Sequence, residues 1–216
     1  MKRLDGIIFD LDGTLWDSSK EVAVSWNKTM ERFDEVEKVL TQTDIQGIMG
    51  LQVPGIAKKL FPELEEEKRI EIITACCREE CAHLRKMGGE LFEGMRETIE
   101  NLSKKYSLFI VSNCLEGYIE SFLSFHKMSD YFRDFLSAEA TGYDKYRNID
   151  LIRKKHHLNH TIYLGDTKGD QEACKKSNTP FVFASYGFGT VSDDAWKIKK
   201  ISDLPDLIQQ IEDRIE

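Results

Sequence analysis

Gly6-Ile7-Ile8-Phe9-Asp10-Leu11-Asp12-Gly13-Thr14 runs a short apolar stretch into two carboxylates one residue apart. Four consecutive buried-type residues are too few for a helix and read as a strand of a parallel sheet covered on both faces. The strand stops on Asp10 and Asp12, and two close anions resist ionising together. Either one of them keeps its proton or a cation sits between them. Both arrangements prepare a carboxylate for nucleophilic or acid–base work.

Working outward, the same reading applies to Leu108–Val111, Thr161–Leu164 and Phe181–Ala184, with a weaker run near Phe135–Ser137. Helical spacing separates the later runs, over Gly94–Tyr106, Leu115–His126, Asn148–His157 and Gly169–Ser177. A βαβ succession of this kind implies right-handed crossovers and helices on both faces of the sheet. Between the first two runs the rhythm changes. Ser18-Ser19-Lys20-Glu21 fits a capping box opening a helix to about Phe33, and Glu65–Lys86 reads as a second long helix. The glycine-punctuated Asp44–Gly50 stretch lies between them, and Gly88-Gly89 marks the return. The expected architecture is therefore α/β: a doubly wound parallel, Rossmann-like sheet over residues 1–15 and 91–216, with an inserted α-helical cap over 16–90. Leu204–Ile215 is expected to close the chain as an amphipathic helix.

The chain has 216 residues, enough for one α/β domain with an insert, and its hydrophobic (41%) and charged (31%) contents are those of a globular protein. A formal net charge of −8 disfavours nucleic acid or an anionic membrane as the main partner. Five cysteines, an odd number, give no disulfide framework. With no long apolar segment, neither a signal peptide nor a membrane span is expected, and a reducing cytoplasm is the simplest setting.

In an open parallel sheet, ligands gather beyond the carboxyl ends of the strands. Asp10 and Asp12 end the first run, Ser112-Asn113 the second, and Gly165-Asp166-Thr167-Lys168-Gly169-Asp170 the one that begins at Thr161. Lys145, expected in the loop after the Phe135–Ser137 run, falls on the same side. The order DLDGT, SN, lysine and GDTKGD resembles the haloacid dehalogenase superfamily of phosphohydrolases. The helical insert places the likeness in a subgroup similar to phosphoglycolate phosphatases. It extends over essentially the whole chain, including the late ASYGFG stretch.

The resemblance implies a Mg²⁺-dependent phosphatase acting on a small phosphorylated metabolite. Asp10 would be the nucleophile that forms an aspartyl-phosphate, and Asp12 the acid and then the base. Metal ligands would come from the Asp10 and Asp166 side chains and the Asp12 carbonyl, with Asp170 as a ligand through water or a partner of Lys145. Ser112 and Lys145 would hold the phosphoryl group. Thr14 and Asn113 would join them around the substrate. An acid at Asp12 argues against a dehalogenase and against the phosphonate-cleaving branch, for which Lys58 or Lys59 would be the tempting Schiff-base lysine. A phosphomutase on the same core is the alternative activity, and a phosphate-ligand sensor the non-enzymatic one. Gln46, Met49 and Gln52 are candidate cap contacts, with Lys58, Lys59 and Arg85 as partners for a second anionic group. The implied assembly is a monomer or weak homodimer.

Other clusters have plainer readings. Lys154 and Lys155 compete with Lys145 but sit inside the next helix. Cys76, Cys77, Cys81 and His83 share one helix with adjacent positions about 100° apart, which suits buried apolar thiols better than a metal site. His126, His156, His157 and His160 are expected at surface or loop positions.

Overall fold

A computed structural model describes residues 3–191 and 195–214. Among the described residues, six parallel strands form the main sheet: β1 (Gly6–Phe9), β4 (Ser107–Ser112), β5 (Asp134–Ser137), β6 (Thr161–Gly165), β7 (Phe181–Ala184) and β8 (Trp196–Ile198). Their order is β5-β4-β1-β6-β7-β8, with β1 at the centre between β4 and β6. A two-stranded antiparallel ribbon, β2 (Trp16–Asp17) with β3 (Glu90–Leu91), joins the two ends of the helical insertion.

Alternation along the strands assigns each side chain to a face. Ile7, Phe9, Ile110 and Leu164 enter one apolar cluster with α5 (Met95–Ser103), α6 (Tyr118–His126) and α10 (Leu204–Glu212). Ile8, Phe109, Val111 and Tyr163 enter the other, with α8 (Lys145–Lys155) and α9 (Lys168–Lys176). Both faces are covered, so the strands read as unbroken apolar runs. α7 (Ala138–Thr141) follows β5 at its carboxyl end and leads into α8.

The insertion holds α1 (Ser19–Met30), α2 (Gln42–Gln46), α3 (Val53–Leu60) and α4 (Glu66–Met87). Its apolar side chains, among them Trp26, Ile45, Ile72 and Leu84, belong to the same cluster as Phe9 and Leu164. Ser121 of α6 also donates to the Cys81 carbonyl of α4 at 2.9 Å. Insertion and sheet share one core.

The structure differs from the sequence reading at several points. Lys145 is the first residue of α8 rather than a loop residue, and Asp144 sits at the N-cap without a side-chain cap bond. Ser18 is at the N-cap of α1, but no capping box forms, because its hydroxyl is directed at Asp12 instead. That helix ends at Met30, short of Phe33. His126 is buried, ringed by Trp16, Phe122 and Phe125 at centroid distances of 5.7, 5.4 and 4.9 Å. Desolvation there, with the Arg96 charge nearby, lowers its pKa to about 4. His156 is half-buried and bonds Asp134 at 2.7 Å. Cys76 and Cys77 are buried free thiols, whereas Cys81 is only partly covered. Ile215, the expected end of the last helix, lies outside the described residues. No described helix is long and apolar enough to cross a membrane.

Candidate active site

The carboxyl edge of the central strands gathers the charged groups. Asp10 follows β1 directly, and its amide donates to the Leu164 carbonyl at 2.8 Å, which seats it beside the end of β6. Asp166 follows β6, and Asp170 lies one turn into α9. All three acids are buried, and one carboxylate oxygen from each lies within 4.8 Å of the others. Lys145 reaches in from the first turn of α8. Its ammonium donates to Asp10 Oδ1 at 2.9 Å and to Asp170 Oδ1 at 2.6 Å. Burial alone would lower the lysine pKa, but the Asp10 and Asp170 charges together outweigh it and raise it. Lys145 is therefore a fixed cation.

One cation cannot balance three anions. Desolvation, then Asp170, push the Asp10 pKa well up, against the pull of Lys145. Asp166 rises to about 7, again by desolvation first and Asp170 second. Its Oδ2 accepts from the Phe188 amide at 2.7 Å, while Oδ1 is buried with no hydrogen-bond partner among the described residues. An orphaned buried carboxylate oxygen costs roughly 1–3 kcal/mol or more unless something meets it. Close packing leaves no side-chain room behind that carboxyl. Gly13 has φ +74°, and a Cβ there would stand 2.2 Å from Asp166 Oδ2. A Cβ on Gly187 would lie 2.3 Å from the Gly13 carbonyl oxygen. A hard divalent cation with oxygen ligands, such as Mg²⁺, fits this donor set.

Asp170 has a second task. Its Oδ2 accepts from the Thr167 amide and hydroxyl at 2.9 and 2.6 Å, while the Asp170 amide donates back to Thr167 Oγ1, forming the capping box of α9. With Oδ1 on Lys145, both its oxygens are engaged. Its position makes it the support of Lys145.

Asp12 lives in a different environment. Trp16 Nε1, Ser18 Oγ and Tyr118 OH each lie 2.9 Å from its Oδ1. Ser18 Oγ and Tyr118 OH are also 2.7 Å apart. Two hydroxyl hydrogens thus serve three oxygen–oxygen contacts, and the third is filled when Oδ1 itself carries a proton. Burial raises the Asp12 pKa to about 6, against the opposing pull of Tyr118, Ser18 and Trp16. Two acids one residue apart are thereby differentiated: one is salt-bridged, and the other is held by neutral donors.

The remaining expected residues divide. Ser112, at the end of β4, lines a cavity together with Asp12. Asn113 Nδ2 donates to the Gly50 carbonyl at 2.9 Å and ties the insertion to the strand end, while its Oδ1 is buried without a partner among the described residues. Thr14 Oγ1 is likewise buried and unpartnered, and the Thr14 carbonyl accepts from Tyr186 OH at 2.8 Å. Met49 borders the same cavity as Ser112. Gln46 does not; its amide donates to Asp17 Oδ2 at 3.0 Å. Lys59 is spent on the Gly47 carbonyl at 2.6 Å, Lys58 and Arg85 are exposed, and the exposed Gln52 lines a surface pocket with Asn113 and Lys145. Trp16, Ser18, Tyr118 and the buried Glu80 of α4 went unrecognised in the sequence. Trp16 and Ser18 follow Asp12 closely enough to have been suspected, but Tyr118 is 106 residues away and carries no local signal.

The family model for haloacid dehalogenase-like hydrolases matches residues 7–184, which includes Asp10, Asp12, Ser112, Lys145, Asp166 and Asp170. The chain belongs to that family. The hydrolase is 27% identical over 187 residues to a phosphoglycolate phosphatase of Aquifex aeolicus, covering 84% of this chain and 85% of that protein. It is also 27% identical over 196 residues to a phosphoglycolate phosphatase of Vibrio vulnificus, with 84% of each chain covered. Its fold is that of a haloacid dehalogenase-like family hydrolase from Streptococcus pneumoniae, with TM-score 0.83 and 21% identity, covering 97% of this hydrolase and all of the other chain. These matches agree with the expected superfamily and with a parallel sheet carrying a helical insert.

Proposed function

We propose that this hydrolase is a Mg²⁺-dependent phosphatase that cleaves a small phosphorylated metabolite through a phospho-aspartate on Asp10. The observation that carries the proposal is the division of labour between the two acids of Asp10-Leu11-Asp12. Asp10 is salt-bridged beside two further carboxylates, and Asp12 is buried among neutral donors with a pKa of about 6.

In this reading Asp10 attacks phosphorus, and the bond from phosphorus to the alcohol oxygen breaks. Asp12 delivers its proton to that oxygen. Water then attacks the aspartyl-phosphate, and Asp12, now ionised, accepts a proton from it as inorganic phosphate leaves. A pKa near neutrality suits both halves of the cycle. Lys145 offsets phosphoryl charge and holds Asp10 in place, with Asp170 behind it. Ser112 and the unpartnered Thr14 and Asn113 groups face the phosphate and the substrate. Asp10, Asp166 and the Asp12 carbonyl would hold Mg²⁺, which when bound supplies the positive charge that keeps the acids ionised beside an anionic substrate. Residues 16–90 act as the substrate-selecting cap on the 1–15 and 91–216 core. Five free thiols suit a reducing cytoplasm, and the enzyme works as a monomer or weak homodimer on a soluble metabolite.

Turnover of p-nitrophenyl phosphate and acetyl phosphate with Mg²⁺ tests the reading. Asp10→Asn is expected to reduce it by at least roughly a thousandfold, since the covalent step is lost. Inorganic phosphate should appear in step with the alcohol, which separates hydrolysis from phosphoryl transfer by a mutase. Normal turnover by the variant would remove Asp10 from the mechanism.

A further inference from the structure

The cavity that Asp12 and Ser112 line runs away from the charged edge into the insertion. The space in it open to a water-sized sphere is about 60 Å³, a few water volumes, which admits a leaving group of a few heavy atoms. Val22, Trp26, Ile45, Ile48, Val53 and Ile56 give it an apolar wall on the insertion side. A single acid from the insertion also lines it. Glu80 is 6% exposed, accepts a hydrogen bond from the indole of Trp26, and lies near enough to Asp12 for the two charges to interact. No lysine, arginine or histidine lines the cavity among the described residues. The mechanism above has no use for Glu80.

A proton donated by Asp12 goes to the oxygen of the leaving alcohol, so the alcohol part of the substrate lies on Asp12's side, in this cavity. A carboxylate on that alcohol would enter an apolar space with no cation and a buried acid opposite it. Desolvation of such an anion would go uncompensated. A hydroxyl would meet an acceptor in a low-dielectric wall, where a hydrogen bond to an acidic group is worth most. We infer that Glu80 is a specificity-determining residue. It selects phosphate esters whose alcohol is mainly apolar and carries one hydroxyl group, and it rejects those bearing a carboxylate, as 2-phosphoglycolate does. This rests on the phosphatase reading for the position of the alcohol. Burial raises the Glu80 pKa well above the ordinary glutamate value, so the group brings no positive charge in either protonation state, and a hydroxyl can accept from it or donate to it.

Binding tests the inference without turnover. Three phosphonates of matched length are titrated calorimetrically into the full chain with Mg²⁺: 3-hydroxypropylphosphonate, n-butylphosphonate and 2-carboxyethylphosphonate. The hydroxyl compound should bind about tenfold or more tightly than each of the others, the worth of one hydrogen bond to an acidic group. Glu80→Leu should bring the hydroxyl-to-butyl ratio to about one, because the only lost partner is the acceptor. Glu80→Gln keeps an acceptor, a donor and the Trp26 bond, so it should retain the hydroxyl preference. If Glu80→Leu does not fold, the wild-type and Glu80→Gln orders still decide. Tighter or equal binding of the carboxylate compound by wild type overturns the inference, as does an unchanged hydroxyl-to-butyl ratio in a folded Glu80→Leu. Failure of all three to bind at millimolar concentration overturns it too. Acetyl phosphate, whose leaving group is too short to span the cavity, is assayed alongside. Its hydrolysis reports on the phosphatase reading independently of Glu80.

Discussion

Replacing Asp12 by asparagine should stabilise the fold at neutral and alkaline pH while removing activity. The carboxyl has an ordinary pKa of 3.8 and a folded value of about 6, set by desolvation. The folded state therefore binds more protons than the unfolded chain between those values, and stability contributed by this group falls as pH rises through that window. Above about pH 7 the full difference applies. Each pKa unit is 1.36 kcal/mol, so ionising Asp12 in place destabilises the native state by ~3 kcal/mol. Asparagine keeps the volume and an acceptor for Trp16, Ser18 and Tyr118, and it never ionises. Some of the gain is offset by weaker hydrogen bonds to a neutral amide oxygen, so the net at pH 8 should be about 1–3 kcal/mol in favour of the variant. Below pH 4 the gain should vanish. Urea unfolding of both proteins in chelator, at pH steps from 4 to 8, measures the difference curve. Other buried acids cancel in that difference. A flat curve, or a variant less stable than wild type at pH 8, would refute the account of Asp12 as an acid strained by burial.

Three more outcomes follow from the same geometry. Lys145→Met leaves Asp10 and Asp170 without their shared cation, so it should destabilise the chain by about 3 kcal/mol at pH 8 and less as the pH is lowered and Asp10, its pKa raised by burial, takes up a proton; a loss under about 1 kcal/mol in denaturant unfolding at pH 8 would show the ion pairs to be dispensable. Mg²⁺ binding at pH 7 should release protons, roughly half of one from Asp166 alone given its pKa of about 7; calorimetric enthalpies that do not differ between buffers of unlike ionisation heat would count against Asp166 as a ligand. Tyr118→Phe removes a bond that lowers the Asp12 pKa, so the limb of the kcat/KM–pH profile set by Asp12 should move to higher pH by up to about one unit, the worth of one hydrogen bond. An unmoved limb would assign that titration to another group.

The parts of this molecule visible in sequence share a physical cause. Strands β1, β4, β6 and β7 are covered on both faces, so burial leaves a continuous apolar run whose polar end is the site. Asp10, Ser112 and Asp166 are legible because each is the first polar residue at or just past such a run. The edge strand β8, three residues with Lys197 exposed, has no such run, and the two-residue ribbon leaves no periodic signal at all. Lys145 reads as a loop residue because the legible helical spacing begins only at Asn148, although Asp144 is a residue type suited to the N-cap position it occupies. Ser18 misled in the opposite way: its local pattern promised a cap, and a partner 100 residues distant, Tyr118, together with Asp12, claimed the hydroxyl instead. Local pattern reports what a residue prefers among its neighbours. The environment of Asp12 is assembled from Trp16, Ser18 and Tyr118, and only the folded chain brings the last of these to it.

The undivided core has a bearing on how this enzyme can change. Val22, Trp26, Ile45, Ile48 and Cys77 border the cavity lined by Asp12 and Ser112 and are also members of the main apolar cluster that includes the sheet. Trimming any of the larger ones to alanine to admit a new alcohol is a core truncation, costing about 2–5 kcal/mol out of a typical 5–15. Substrate range and folding are thus inherited together, and drift in one is disciplined by selection on the other. Glu80, a buried polar residue of the cavity wall and no member of the apolar cluster, is the position where preference can shift by a single exchange without hollowing the protein. New substrates within this lineage should arise there first, and through compensated pairs of changes elsewhere in the cavity wall.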